Sequence, residues 1–206
     1  METKEKMNDF FVSPGFVCIF HSVNKQPLSK WDKKIRSGVI RKVRDEDLCS
    51  QVLEISAPKI AATYITCPID PCRSLGIKNP VLNLTVKNLN KYFAFDVQIQ
   101  DDRGVKRRFR ASTHQTVTEV KPFFSRLPLT LEDGWNQITF PLQEFTMRCF
   151  GTNHVETLRL QIYASCRLRR VFFSNKVCQE HDVPLDFRLN QLALPKRVNR
   201  VPPEKA

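Results

Sequence analysis

The sequence predicts a mainly β protein, an antiparallel β-sandwich of jelly-roll type with one or two short helices. Three observations predict it. Apolar and polar residues alternate at period two through most of the chain. Turn residues separate about ten such runs. One segment alone changes clearly to helical spacing.

Taken in order, short runs over 16–20, 39–43, 52–55, 62–66 and 81–86 read as strands. The clearest strand follows, with Phe93, Phe95, Val97 and Ile99 on one face and Ala94, Asp96, Gln98 and Gln100 on the other. Asp101-Asp102-Arg103-Gly104 supplies a type I turn with glycine at its last position. The chain then resumes with Val105, Phe109 and Ala111 opposed to Lys106, Arg108 and Arg110, a hairpin with a basic outer face. Further strands are expected over 116–120, 135–140, 157–164 and 167–173, and Leu158, Leu160, Ile162 and Ala164 form a buried set. The exception starts at Pro141, a residue suited to the first helical position. Leu142, Phe145 and then Cys149 or Phe150 keep helical spacing, and Gly151 stands just past the end, so one helix of about two and a half turns is expected. A second short helix or turn is read near residues 186–191.

The chain has 206 residues, enough for one domain, and its 41% hydrophobic and 26% charged residues exclude wholesale disorder. Residues 1–9 read as a flexible extension, 10–190 as a single sandwich domain and 191–206 as a basic disordered tail. No apolar run approaches a membrane span and the amino end has no secretory pattern, so a soluble cytosolic protein is expected. Seven cysteines without a signal sequence then read as reduced thiols. Thirty-three Lys and Arg against 21 Asp and Glu leave a net charge of +12, which draws the molecule to polyanions: nucleic acid, anionic lipid, or an acidic protein lattice such as tubulin.

Residue patterns for catalysis are weak. No Gly-x-Ser-x-Gly elbow is present, and His21, His114, His154 and His181 lie in unrelated segments. Asp101, Asp102, Glu132 and Asp133 sit in predicted turns, where aspartate caps its own backbone more readily than it serves glycoside hydrolysis. No glycine-rich phosphate loop occurs. Cys67 and Cys72, with a proline-stiffened spacer, and the pair Cys178 and His181 invite a zinc reading, yet neither has the Cys-x-x-Cys knuckle. No metal and no cofactor are therefore expected. Asn83-Leu84-Thr85 matches a glycosylation triplet but falls inside a predicted strand. Trp31 and Trp135 read as core or rim anchors.

Charge is the stronger signal. Basic residues interleave with aliphatic or aromatic ones at 31–36, 41–44, 106–110 and 167–170. On a sheet, alternate positions of each segment would present a row of cations to a repeating acidic surface or to phosphates.

Nine strings add a family resemblance: LSKWDKKIRSG (28–38), TYITCP (63–68), SLGIK (74–78), KNLNKYF (87–93), RRFRAS (107–112), DGWNQI (133–138), FGTN (150–153), ETLR (156–159) and CRLRRVFFS (166–174). Collinear from about 16 to 187, they resemble the cilia- and flagella-associated protein twenty family. The resemblance implies a structural β-sandwich protein of the ciliary axoneme, at the inner junction of the doublet microtubule, supporting cilium assembly and motility, without catalytic residues or cofactor. It departs from the family pattern before Met7, after Leu189, and at Cys18, Cys49, Cys72, Cys149 and Cys178, which marks a diverged paralogue.

The expected function is thus non-enzymatic: binding to tubulin of the doublet microtubule and to neighbouring inner-junction proteins, with no membrane and no small-molecule substrate. Lys33, Lys34, Arg36, Lys106, Arg108, Arg110, Arg167 and Arg169 are the expected tubulin contacts. Cytoplasm, cytoskeleton and axoneme are the expected locations, with nucleus and basal body as further compartments. The alternative is a nucleic-acid-binding module using the same basic strands. A carbohydrate-binding sandwich rests on fold analogy alone.

Overall fold

A computed structural model describes residues 10–177. The expected tails, the second helix near 186–191 and the Cys178–His181 pair lie outside the described residues. The strands are β1 (Phe11–Ser13), β2 (Phe16–His21), β3 (Asp32–Ile35), β4 (Val39–Asp45), β5 (Ser50–Ser56), β6 (Thr63–Cys67), β7 (Val81–Asn88), β8 (Ala94–Asp101), β9 (Lys106–Ser112), β10 (Glu119–Lys121), β11 (Phe124–Pro128) and β12 (Gly134–Pro141). They continue through helix α1 (Leu142–Phe150) to β13 (His154–Tyr163) and β14 (Cys166–Ser174).

Two seven-stranded sheets result. In the first, β14 is central: β7 and then β12 lie on one side, while β2 and β5 share its other side and lead to β1 and β4. The second runs β10-β11-β9-β8-β13-β6-β3. Pairing is antiparallel throughout the described strands except for β11, which lies parallel to β9. That is a departure from the purely antiparallel expectation, as are three strands the sequence did not announce: β1, β3 and β11. The expected strand at 116–120 is shifted to β10 at Glu119–Lys121.

Burial follows the period-two reading. Phe95, Val97, Ile99 and Phe109 are inaccessible, as are Leu82 and Leu84 from the facing sheet, and all belong to one apolar core. The sheets are locked together by Phe140 of β12, whose ring meets Phe95 edge-on at 5.5 Å and Phe109 at 5.9 Å across the interface. Each such ring contributes roughly 1.5–3 kcal/mol by leaving water. Phe145 of α1 stacks on Phe140 at 4.4 Å, so the helix closes the core at this point. Pro141 stands one residue before the helix, with Leu142 N–H bonded to Pro80 O at 2.8 Å. Gly151 ends it in the left-handed region (φ 63°), donating to Met147 O at 3.0 Å.

Trp31 is a core residue, 1% exposed, donating from Nε1 to Ile19 O at 3.0 Å. Asp101 organises the β8–β9 turn, accepting from Arg103 N–H at 3.1 Å and Val105 N–H at 2.7 Å. Asn83 is buried and donates to Ser174 Oγ at 3.0 Å, a position no glycan could occupy. Cys67 is buried, and burial pushes its thiol up to about 12, whereas Cys72 is exposed. Among the described residues no three His, Cys, Asp or Glu side chains gather as a metal site.

Candidate functional site

The basic face begins with β9. Because Phe109 and Ala111 enter the core, Lys106, Arg108 and Arg110 must project from the other face of the sheet. Register sets their neighbours. Gln100, Gln98 and Asp96 of β8 stand opposite Lys106, Arg108 and Arg110, and on β11 Phe124 and Arg126 stand opposite Arg108 and Arg110.

These cations are not equivalent. Arg110 clamps Asp96 with two hydrogen bonds, Nε to Oδ1 at 2.7 Å and Nη2 to Oδ2 at 2.8 Å, and also reaches Tyr163 OH at 2.8 Å. Hydrogen bonding to Asp96 raises its pKa further above the ordinary range, so it is permanently charged and largely committed. Arg108 is freer: its side chain is 50% exposed and its nearest carboxylate oxygen, on Asp96, is 4.0 Å away. Lys106 is exposed and forms no ion pair among the described residues. With Gln98, Phe123 and Phe124, the three cations line a shallow depression of about 470 Å³. Arg126 extends the row, paired with Glu119 at 2.6 Å and lying over the Phe124 ring at 5.3 Å.

Lys33 and Lys34 of β3 and the following Arg36 are exposed, at the far edge of the same sheet. Four strand steps separate β3 from β9, roughly 19 Å at the usual spacing. Within β3 the two lysines diverge: Lys34 stands opposite Tyr64 on the face that carries the β9 cations, whereas Lys33 stands opposite the core residue Ile65 and borders a groove with Arg41 and Lys42, so the basic residues of this sheet form no single cluster.

Arg167 and Arg169 belong elsewhere, on β14 of the other sheet, and the row expected there is not a free one. Arg167 donates from Nη1 to Asp45 Oδ2 at 2.7 Å and from Nε to Glu54 Oε2 at 3.0 Å. Arg169 is 3% exposed, its Nη1 bonded to Ser50 Oγ at 2.8 Å, Gln51 O at 2.9 Å and Ser22 Oγ at 3.2 Å. Burial lowers its pKa, and its Nε has no acceptor. As a surface contact Arg169 is thus corrected: internal acceptors hold it inside the fold. Around Arg167, burial disfavours ionised Asp45, but hydrogen bonds from Arg167, Trp135 and Lys87 outweigh it and hold the carboxyl below its ordinary range.

Sequence reading also missed Tyr92 and Tyr163. Tyr163 sits beside the clamp, donating to Asp96 Oδ2 at 3.1 Å. Tyr92 is 62% exposed on the β7–β8 loop and meets the His114 ring edge-on at 4.8 Å. An aromatic residue after a polar loop, Asn88 to Lys91, was the available signal.

Residues 7–191 match the family model described as the CFA20 domain. Among curated proteins the chain is 50% identical over 175 residues to cilia- and flagella-associated protein 20 of Chlamydomonas reinhardtii, covering 85% of this chain and 92% of that one. The protein of the same name from Paramecium tetraurelia is 49% identical with the same coverage. That from Caenorhabditis elegans is 47% identical, covering 85% of this chain and 86% of its own.

Proposed function

Because the chain belongs to the CFA20 domain family, we propose that it is a structural, non-enzymatic protein of cilia and flagella that binds the doublet microtubule at its inner junction and supports cilium assembly and motility. Its partners are tubulin and neighbouring junction proteins. The observation that carries this reading is the pairing of membership with an exposed, incompletely neutralised cation strip, Lys106 and Arg108, on the outer face of the second sheet. Lys33, Lys34 and Arg36 make the β3 edge basic, and Arg110 stiffens the β9 strip through Asp96.

The mechanism is additive. Each exposed ion pair with a carboxylate of the lattice contributes ~0–1 kcal/mol, and repetition along a filament converts weak contacts into lasting attachment. A sheet suits the task, because hydrogen-bonded strands fix the spacing of the cations before contact and little order is lost on binding.

Co-sedimentation with taxol-stabilised microtubules, comparing intact tubulin with tubulin stripped of its acidic tails, tests the reading. Saturable binding that resists excess single-stranded DNA supports it, and weaker binding after stripping places the contact on the tails. Loss of binding to the DNA competitor would favour the nucleic-acid alternative.

A further inference from the structure

At one end of the sandwich five connections converge: residues 57–60 after β5, 90–92 between β7 and β8, Thr113 after β9, 129–131 between β11 and β12, and Ser165 between β13 and β14, with Asn88 at the end of β7 beside them. They enclose a cleft of about 1030 Å³. It adjoins a second depression of about 490 Å³ on the outer face of the second sheet, and Ile60 and Tyr92 border both. We propose that this continuous cleft docks an extended acidic peptide segment of a protein partner, with one large apolar side chain seated on the cleft floor.

Charge selects the class of ligand. Lys59 and Lys91 line the first chamber, Arg110 and Arg126 the second, and no carboxylate side chain lines either. Arg110 and Arg126 are partly compensated by Asp96 and Glu119 behind the wall. Lys59 and Lys91 are exposed and form no ion pair among the described residues, so they hold the free positive charge. A chain of carboxylates crossing both chambers would meet four cations in sequence.

The floor sets the second requirement. Leu129, Leu131, Ile60 and Ala57 give the first chamber an apolar base into which an aliphatic or aromatic side chain fits. Tyr92 stands between the chambers with 62% of its surface in water, and its backbone is pinned. Its carbonyl accepts from Ser165 N–H at 3.1 Å, the adjacent Phe93 is 1% exposed and donates from N–H to Thr113 Oγ1 at 2.9 Å, and Asn90 N–H is held by Asn88 Oδ1 at 2.9 Å. A rigid exposed ring loses little entropy when covered. An aromatic platform alone would also suit a sugar, but a neutral sugar has no use for cations unmatched by carboxylates.

The second chamber shares Arg110 and Arg126 with the β9 row, but Lys59, Lys91 and Tyr92 lie outside the Lys106–Arg108 strip, so varying them separates this proposal from the microtubule reading. The test is fluorescence anisotropy of the full chain with a fluorescein-labelled peptide of glutamates around one phenylalanine, with the same peptide in lysine, a neutral maltooligosaccharide and single-stranded DNA as comparisons. Saturable, salt-sensitive binding of the glutamate peptide alone is expected. Lys59→Glu with Lys91→Glu should weaken it about tenfold or more, and Tyr92→Ala should weaken it several-fold while microtubule co-sedimentation and thermal midpoint stay unchanged. Absence of peptide binding by the wild-type chain, equal binding of the oligosaccharide or the DNA, or indifference to the lysine reversals would each overturn the proposal.

Discussion

Arg167 of β14 and Glu54 of β5 face each other across a strand ladder, Nε to Oε2 at 3.0 Å, although they lie 113 positions apart in the chain. Asp45 completes the group: its side chain is inaccessible and accepts from Arg167, from Lys87 Nζ at 3.0 Å and from Trp135 Nε1 at 3.1 Å. Three side-chain donors, with Leu48 N–H as a fourth at 3.3 Å, converge on this buried carboxylate and form a structural joint between β4, β7, β12 and β14. Asp45→Ala would leave Trp135 Nε1 without its acceptor and remove one of two carboxylates from Arg167 and Lys87, which keep Glu54 and Asp47, and is expected to cost about 2–3 kcal/mol. Urea unfolding checks the loss, and near-normal microtubule binding by the folded fraction would show that the joint is not the contact.

How much of this was legible follows from where the information lies. The β8–β9 hairpin could be read because its turn chemistry, Asp101 to Gly104, and its alternation are local. Helix α1 was equally local, bounded by Pro141 and Gly151. β3 escaped because all four of its residues are exposed: hydrogen bonding to β6 defines it, with no burial pattern to betray it. β11 escaped because the two residues that turn the chain into it from β10, Pro122 and Phe123, lack the Asn-Gly or Asp-Gly signal of a hairpin, and its other partner, β9, lies parallel to it. The same limit governs the site. Lys106 and Arg169 look alike as letters, and only the remote neighbours Ser22, Ser50 and Gln51 decide that Arg169 is internal.

Two glycines should respond differently to alanine. Gly38 has φ +119°, and an added Cβ would lie 2.1 Å from Ser56 O and 2.8 Å from Ala57 Cα, both backbone atoms that cannot swing aside. Gly38→Ala is expected to cost about 3–5 kcal/mol, from left-handed strain plus overpacking. Gly104 has φ +73° but nothing within 4 Å of the added atom, so Gly104→Ala should cost only about 1–2 kcal/mol. Denaturant midpoints of the two variants provide the comparison.

Stability should fall as the medium is acidified, in two stages. Burial, aided by Arg170 and Arg169, lowers His21 from 6.5 to about 3, and burial lowers His154 to about 4. Both stay neutral in the fold while the unfolded chain takes up protons below 6.5, so their contribution is complete above pH 6.5 and is lost as pH falls toward those lowered values. Around and below the ordinary value of 3.8 the unfolded chain's aspartates take up protons while Asp45 and Asp101, whose hydrogen bonds from Arg167 and from Val105 N–H and Arg107 overcome the cost of burial, stay ionised to lower pH, so a second loss follows as pH falls toward their lowered values. Urea midpoints measured from pH 7 down to about pH 2 should decline in both stages, and His154→Gln should flatten the first. An unchanged slope in that variant would assign the decline to other groups.

The β9 strip and the basic β3 edge make separable claims on microtubule binding. Arg108, half exposed and 4.0 Å from its nearest carboxylate oxygen, and Lys106 keep charge available to a partner. Reversing both, Lys106→Glu with Arg108→Glu, replaces attraction with repulsion and should weaken binding about tenfold or more at low salt. The deficit should shrink as added salt screens the wild-type contact. Lys33→Glu with Lys34→Glu alters charge by the same amount on the β3 edge, so a smaller effect there would place the contact at β9, and a larger one would move it to β3. Arg169→Met serves as the internal control. Its guanidinium is buried among Ser22, Ser50 and Gln51, and the substitution should lower the thermal midpoint while leaving the dissociation constant of the folded protein unchanged. If net charge alone governed attachment, the two double reversals would weaken binding equally, so unequal losses measured by co-sedimentation would establish a located surface.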